Sequence, residues 1–215
     1  MKIGIIGSGI VGRTLASAFI NEGHHVLLSS RNPEKDELLN WTYEHPGGFI
    51  GNFADAAAYG ELLILATSGR GALEALHLAG KEHFNGKIVI DTTNPLTADG
   101  PENGVLKLFT DGNESLMERS QKMLPEAKFV KAFNIVGSPL MYKPDFGDQK
   151  PTMFICGNDT AAKKAVTVIL EQFGWETEDM GMAVSARVIE PLSILWCIRG
   201  FISNQWTHAF KLLKR

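Results

Sequence analysis

Lys2-Ile3-Gly4-Ile5-Ile6-Gly7-Ser8-Gly9-Ile10-Val11-Gly12 opens the chain with a short apolar, β-branched run that passes directly into a G-x-G-x-x-G. The positions that follow carry Leu15, Phe19 and Ile20 at helical spacing through Glu22, and Gly23 ends the pattern. This is a strand, a glycine turn and a helix. The glycine motif alone is weak, but in this setting each glycine has its own physical reason. Gly7 makes the tight turn, Gly9 lets a pyrophosphate approach the backbone, and Gly12 lets the helix pack close to the strand. A pyrophosphate held there would meet the positive end of the helix and its free N–H groups.

Cofactor choice is read about 20 residues further on, where an NAD site places an acid on the ribose hydroxyls. Here the second strand, His25 to Ser29, runs into Ser30 and Arg31. A carboxylate would repel a 2'-phosphate, whereas a hydroxyl and a guanidinium accept it through charge-assisted hydrogen bonds. The pattern predicts NADP(H), with Lys35 as a further phosphate contact.

Working outward, Asn32-Pro33 opens a helix over 34–41, and 48–52 is a weak third strand. A helix at 55–59, a buried strand at 62–66 and a helix at 71–79 follow. Strands at 87–91 and 128–133 flank a Gly-, Pro- and Asp-rich segment and a helix over 114–124. Such alternation predicts an α/β Rossmann fold with a doubly wound, mostly parallel sheet. After a loop from Val136 to Lys150, a strand at 152–156, a helix at 160–173 and a strand near Glu176 are expected to extend the same sheet. From Ala183 to Leu213 the pattern reads as a long helix, kinked at Pro191 and open to division at Gly200. Its apolar stripe runs through Val184, Val188, Leu192, Leu195, Ile202, Trp206 and Phe210. The expected organisation is an NADP-binding domain over 1–180 and a helical C-terminal extension over 181–215 that serves cleft and dimer.

With 21 Lys plus Arg against 24 Asp plus Glu, the net charge of −3 gives no electrostatic reason to expect nucleic acid or an anionic membrane as partner. The first residues lack the charged and apolar regions of a secretory signal. The longest apolar run, 191–198, is far short of the roughly 20 residues needed to span a bilayer. A cytoplasmic protein with small-molecule partners is the expectation. Cys156 and Cys197 show no metal-binding spacing and read as reduced, buried thiols.

Taken together, Gly7 to Gly12, Ser30-Arg31-Asn32-Pro33, Asp91-Thr92-Thr93-Asn94-Pro95-Leu96 and Val130-Lys131-Ala132-Phe133-Asn134 resemble the coenzyme F420-dependent NADP oxidoreductases. The likeness continues through Ile155-Cys156-Gly157-Asn158-Asp159 and Ala186-Arg187-Val188-Ile189-Glu190, nearly the whole chain. The resemblance implies a homodimer that moves hydride between NADP(H) and a deazaflavin bound beside the C-terminal helical region. It implies Ser8, Gly9, Ile10 and Val11 at the pyrophosphate, and Ser30, Arg31 and Lys35 at the 2'-phosphate. Thr67 and Ser68 would line the nicotinamide side, with Asn94, Pro95 and Asn134 at strand ends over the same cleft. Thr67-Ser68-Gly69-Arg70 replaces a bulkier, more apolar turn of archaeal members. Phe133-Asn134 is equally similar to the NADPH-binding domain of the STEAP metalloreductases, which pass electrons through flavin.

Hydride transfer between two planar rings asks a protein for alignment and exclusion of water, because the cofactors carry the hard chemistry. No catalytic acid, base or metal site is expected, and the six histidines show no metal-binding spacing. Arg70 stands apart as a cation that could meet an anionic tail of the acceptor or a nucleotide phosphate. Two other readings remain open: a reductase of flavin, imine or another acceptor, and an NADP-sensing protein without turnover.

Overall fold

The computed structural model describes residues 1–215. Six parallel strands form the main sheet: β1 (Lys2–Ile6), β2 (His25–Ser29), β3 (Gly48–Gly51), β4 (Leu62–Leu65), β5 (Ile88–Asp91) and β6 (Lys128–Lys131). Their spatial order is β3-β2-β1-β4-β5-β6, and every pairing in it is parallel. The Rossmann expectation is met. Helices α1 (Ile10–Asn21), α2 (Asp36–Glu44), α3 (Phe53–Tyr59), α4 (Ala72–Ala79) and α5 (Leu116–Met123) connect or flank the strands. Ile3, Ile5 and Ile6 of β1, Leu63, Ile64 and Leu65 of β4, and Val89 and Ile90 of β5 are wholly buried. Continuous apolar runs, rather than alternating ones, are what a sheet covered on both faces requires.

Two expectations are corrected. Strands β7 (Thr152–Ile155) and β8 (Glu176–Asp179) do not extend the main sheet; they pair in parallel with each other, joined by α6 (Thr160–Gln172). One antiparallel bridge, in which the Lys131 N–H donates to the Cys156 carbonyl at 3.0 Å, ties this unit to β6. A β-α-β crossover satisfies its own ladder, so alternation in sequence does not reveal which sheet it joins.

The second correction concerns the C-terminus, where the helical pattern breaks up. A short helix α7 (Ala186–Ile189) is followed, across Glu190 and Pro191, by α8 (Leu192–Ser203). The helix then stops at Asn204, which takes a left-handed conformation with φ 52°, a role that asparagine tolerates better than other side-chain-bearing residues. Trp206 folds back onto Gly200, where a Cβ would lie 2.2 Å from the indole ring. Gly200 thus admits the returning chain instead of dividing the helix. Beyond it the tail runs along β7: the Thr152 N–H donates to the Phe210 carbonyl at 2.8 Å, and Lys211 pairs with Glu176 at 2.6 Å. Residues 206 and 210 continue the apolar period of α8, which is why the sequence reads as one long helix. No helix is long and apolar enough to cross a membrane.

Candidate nucleotide site

Where strand order reverses, between β1 and β4, the loops leaving the two strands part and leave a crevice at the carboxyl edge of the sheet. Gly7 turns there at φ 120°, and a Cβ on it would meet the Ala66 carbonyl oxygen at 2.5 Å. Gly12 is equally constrained, because a Cβ would lie 2.0 Å from the Gly7 carbonyl oxygen. At Gly9 nothing lies within 4 Å of that position. Two glycines therefore serve the fold, and the middle one holds open space.

That space lies over an open helix end. α3 and α5 begin with reciprocal capping boxes, Asn52 with Asp55 and Ser115 with Glu118, and α6 is capped by Asp159. α1 has no side-chain cap and no acid in its first turn. Its leading N–H groups, which cannot bond within the helix, are left for an anion.

A groove of about 570 Å³ extends from this point. It is lined by Gly7, Ser8 and Gly9, by Ser30, Arg31 and Lys35, and by Thr67 and Ser68. Ser30 sits behind Arg31, where its hydroxyl accepts the Asn32 N–H at 3.1 Å and shapes the turn. Arg31, Lys35 and Arg70 all line the groove, and none has an acidic partner within 4.0 Å. Three unpaired cations in a groove that begins at an uncapped helix end fit a polyanionic ligand. The hydroxyl oxygen of Thr67 is buried without a partner, which leaves it available to a polar group at that end. Donors, cations and cleared space together fit a phosphorylated dinucleotide.

Not every expected residue reaches the groove. Gly12 is buried and the exposed Ile10 stands beside the groove, which Ile10, Val11 and Gly12 do not line. Asn94, Pro95 and Asn134 lie beyond it, and the two asparagines hold each other: Asn94 Nδ2 donates to the Asn134 carbonyl at 2.7 Å, and Asn134 Nδ2 to Asn94 Oδ1 at 2.9 Å and the Ile189 carbonyl at 3.1 Å. They join the loops after β5 and β6 to α7. Asn134 Oδ1 is buried with no partner. The preceding Phe133 is fully buried with φ 62°, a left-handed conformation that costs a bulky residue on the order of 1–3 kcal/mol.

Sequence reasoning missed two parts of this region. One is the far wall of the groove, formed by Phe53, Gly71, Glu74, Ala75 and Leu78; the period of α4 was visible, but not which side it turns toward the crevice. The other is a buried charge cluster below the strand ends. Lys131 Nζ lies 2.8 Å from Asp91 Oδ2 and 2.9 Å from Glu190 Oε1, and donates to the Thr93 carbonyl at 2.8 Å. Glu190 also accepts the Leu116 and Met117 N–H groups at the start of α5. Burial presses the lysine toward neutrality, but the two carboxylates outweigh it and hold its pKa above the ordinary value. The signal was present in sequence as an Asp and a Lys at the carboxyl ends of the Ile-Val-Ile and Phe-Val runs of β5 and β6. Nearby, burial pushes the Cys156 thiol up to about 12, so it is an inert core residue.

A second, more open depression of about 710 Å³ runs between α5 and the residues before α7. Of its charged groups, Lys128 and Asp159 pair with each other and Glu118 pairs with Arg187, which leaves one cation, Lys122, and one acid, Glu126, in place of the three unpaired cations of the β1–β4 crevice.

Comparison with known proteins agrees with this geometry. Residues 2–95 match the family model described as NADP oxidoreductase, coenzyme F420-dependent. A protein of Arthrobacter sp. FB24, provisionally named an F420-dependent NADP reductase, has a crystal structure that superposes with a TM-score of 0.93 at 35% identity, covering 100% of both chains. Metalloreductase STEAP3 of Rattus norvegicus is 28% identical over 202 residues, which is 90% of this chain and 37% of that protein. The chain thus spans under two fifths of the curated relatives it matches. A Streptomyces aurantiacus imine reductase shares the fold, with a TM-score of 0.66 at 18% identity over 94% of this chain and 64% of its own. The chain belongs to the coenzyme F420-dependent NADP oxidoreductase family.

Proposed function

We propose that this protein passes hydride between NADP(H), bound in the β1–β4 groove, and a deazaflavin of the coenzyme F420 type held at the carboxyl edge of the sheet. The observation that carries the cofactor half is that Arg31, Lys35 and Arg70, all without an acidic partner, line one groove with the Gly7–Gly9 turn that leads into the uncapped start of α1. Family membership and the Arthrobacter relative support the acceptor half. Bound nucleotide supplies the hydride. The chain's own residues grip phosphate, align the rings and exclude water, and no side chain serves as acid or base. In this reading residues 1–180 hold the nucleotide and 181–215 complete the acceptor side. NADPH oxidation followed by absorbance with deazaflavin, FMN, FAD and no acceptor in parallel tests it. Turnover with FMN or FAD and none with deazaflavin would move the assignment to a flavin reductase.

Arg31→Ala is expected to weaken NADPH binding by about 1.5–3 kcal/mol, the range for a lost charged hydrogen bond, while sparing NADH. Titration of both nucleotides checks this, and equal weakening of the two would remove Arg31 from the 2'-phosphate.

We also propose a homodimer, on a narrower surface than the sequence suggested. Trp206 and Phe210 pack against their own chain, but Val188 and Ile202 are 69% and 67% exposed, with Val184 and Leu195 between 49% and 55%. Large apolar side chains left exposed on neighbouring helices favour an interface when they form one patch, and twofold pairing is its commonest cover. Leu195→Asp should yield monomers that still bind NADPH. Light scattering that finds the unmodified protein monomeric at tens of micromolar, on the order of weak-dimer affinities, would end the dimer idea.

A further inference from the structure

The three unpaired cations of the nucleotide groove share it with one carboxylate. Glu74 lines the same cavity as Arg31, Lys35 and Arg70, yet lies within ion-pair distance, 4.0 Å, of none of them. Its place follows from α4. Gly71, Glu74, Ala75 and Leu78 recur at the spacing of one helix face, and all four line the groove. Gly71 and Ala75 project almost nothing, and Leu78 is half exposed, so this face is a shallow apolar wall. Such a wall suits the flat side of a purine and offers nothing to a phosphate.

The order of groups within the ligand then assigns the wall. This step rests on NADP(H) occupying the groove. With the pyrophosphate at Gly7 to Gly9 and the 2'-phosphate at Ser30, Arg31 and Lys35, the adenine hangs from the same ribose as that phosphate. It must therefore lie in the adjoining part of the cavity. A carboxylate on the cavity wall repels any phosphate, and the hydrogen-bond donor that adenine can offer it is its exocyclic amine.

We propose that Glu74 reads the adenine base: the ring rests on the wall of Gly71, Ala75 and Leu78, and its amine donates to the Glu74 carboxylate. The nucleotide site would then select at two places, for the 2'-phosphate through Arg31 and Lys35 and for a 6-amino purine through Glu74. A hypoxanthine base presents a carbonyl oxygen where adenine presents the amine, and its nearest donor, N1–H, lies one ring position away, so a carboxylate placed for the amine holds it more weakly. Glutamine at 74 can donate to that oxygen through its amide.

The test is fluorescence titration of the full chain with NADPH and with its hypoxanthine analogue, both of which carry the same reduced nicotinamide. The wild type should prefer NADPH by about tenfold, as expected for one charged hydrogen bond in a solvated groove. Glu74→Gln should bring the ratio to near one or below, and Glu74→Ala should weaken NADPH and erase the preference. Arg31→Ala should weaken both nucleotides and leave their ratio intact. Equal binding of the two by the wild type, or an unchanged ratio in Glu74→Gln, would overturn the assignment to Glu74 while leaving the NADP(H) groove standing. A wild type that binds neither would overturn both.

Discussion

Gly9→Val should abolish NADPH binding while the protein remains folded. A Cβ at Gly9 meets nothing within 4 Å, and the residue already has φ −66°, which valine adopts without strain. Its branched side chain would fill the space cleared before the first N–H groups of α1, where a pyrophosphate must approach the backbone. A loss of at least about 3 kcal/mol, roughly two orders of magnitude in affinity, is expected, with a thermal unfolding midpoint within a few degrees of the wild type. Gly7→Ala and Gly12→Ala provide the contrast. Each would force a Cβ to within 2.5 Å of a backbone carbonyl oxygen, and should lower stability before binding is even measured. Retained affinity in Gly9→Val would show that the loop never nears the phosphates.

Lys131→Met should have the largest effect on stability. The ammonium is fully buried between Asp91 and Glu190, themselves 0% and 1% exposed. An isosteric apolar chain would leave two carboxylates facing each other with only N–H and hydroxyl donors to hold them. Removing one partner from a buried ion pair costs about 3–5 kcal/mol, which for a chain of this size lowers the unfolding midpoint by about 6–20 °C. Adding Glu190→Gln should recover part of that loss, because one uncompensated charge is gone while the side chain can still accept from the start of α5. Calorimetry of the single and double variants decides it. A shift below about 2 °C for Lys131→Met, smaller than a loss of 1 kcal/mol would give, would mean that the cluster is not held together by its charges.

What the sequence disclosed follows from how local each signal is. The glycine turn, the strand before it and the cation pair after β2 are readable because each feature is carried by neighbouring residues with a single physical reason. Arg31 and Lys35, four positions apart, fall in the same groove for this reason. Arg70 was legible as an unusual cation but not in its company, since its joining Arg31 depends on the pairing of β1 with β4. Asn94 and Asn134 were expected over the cleft. The bonds between them come from two loops separated by 40 residues, and no periodicity encodes that meeting. The tail failed for the opposite reason: its apolar spacing obeyed a helical rule that Asn204 and the contact between Gly200 and Trp206 overrule.

Every residue that lines the nucleotide groove lies between Gly7 and Leu78. The remaining two thirds of the chain supply β5, β6, the loop asparagines, the C-terminal helices and the small β7–β8 unit, and contribute no wall to it. Such a division makes the molecule modular in an evolutionary sense. Substitutions downstream leave the groove lining untouched, and the Lys131 cluster, whose partners Asp91, Thr93 and Glu190 all lie beyond Leu78, holds that downstream part together on its own.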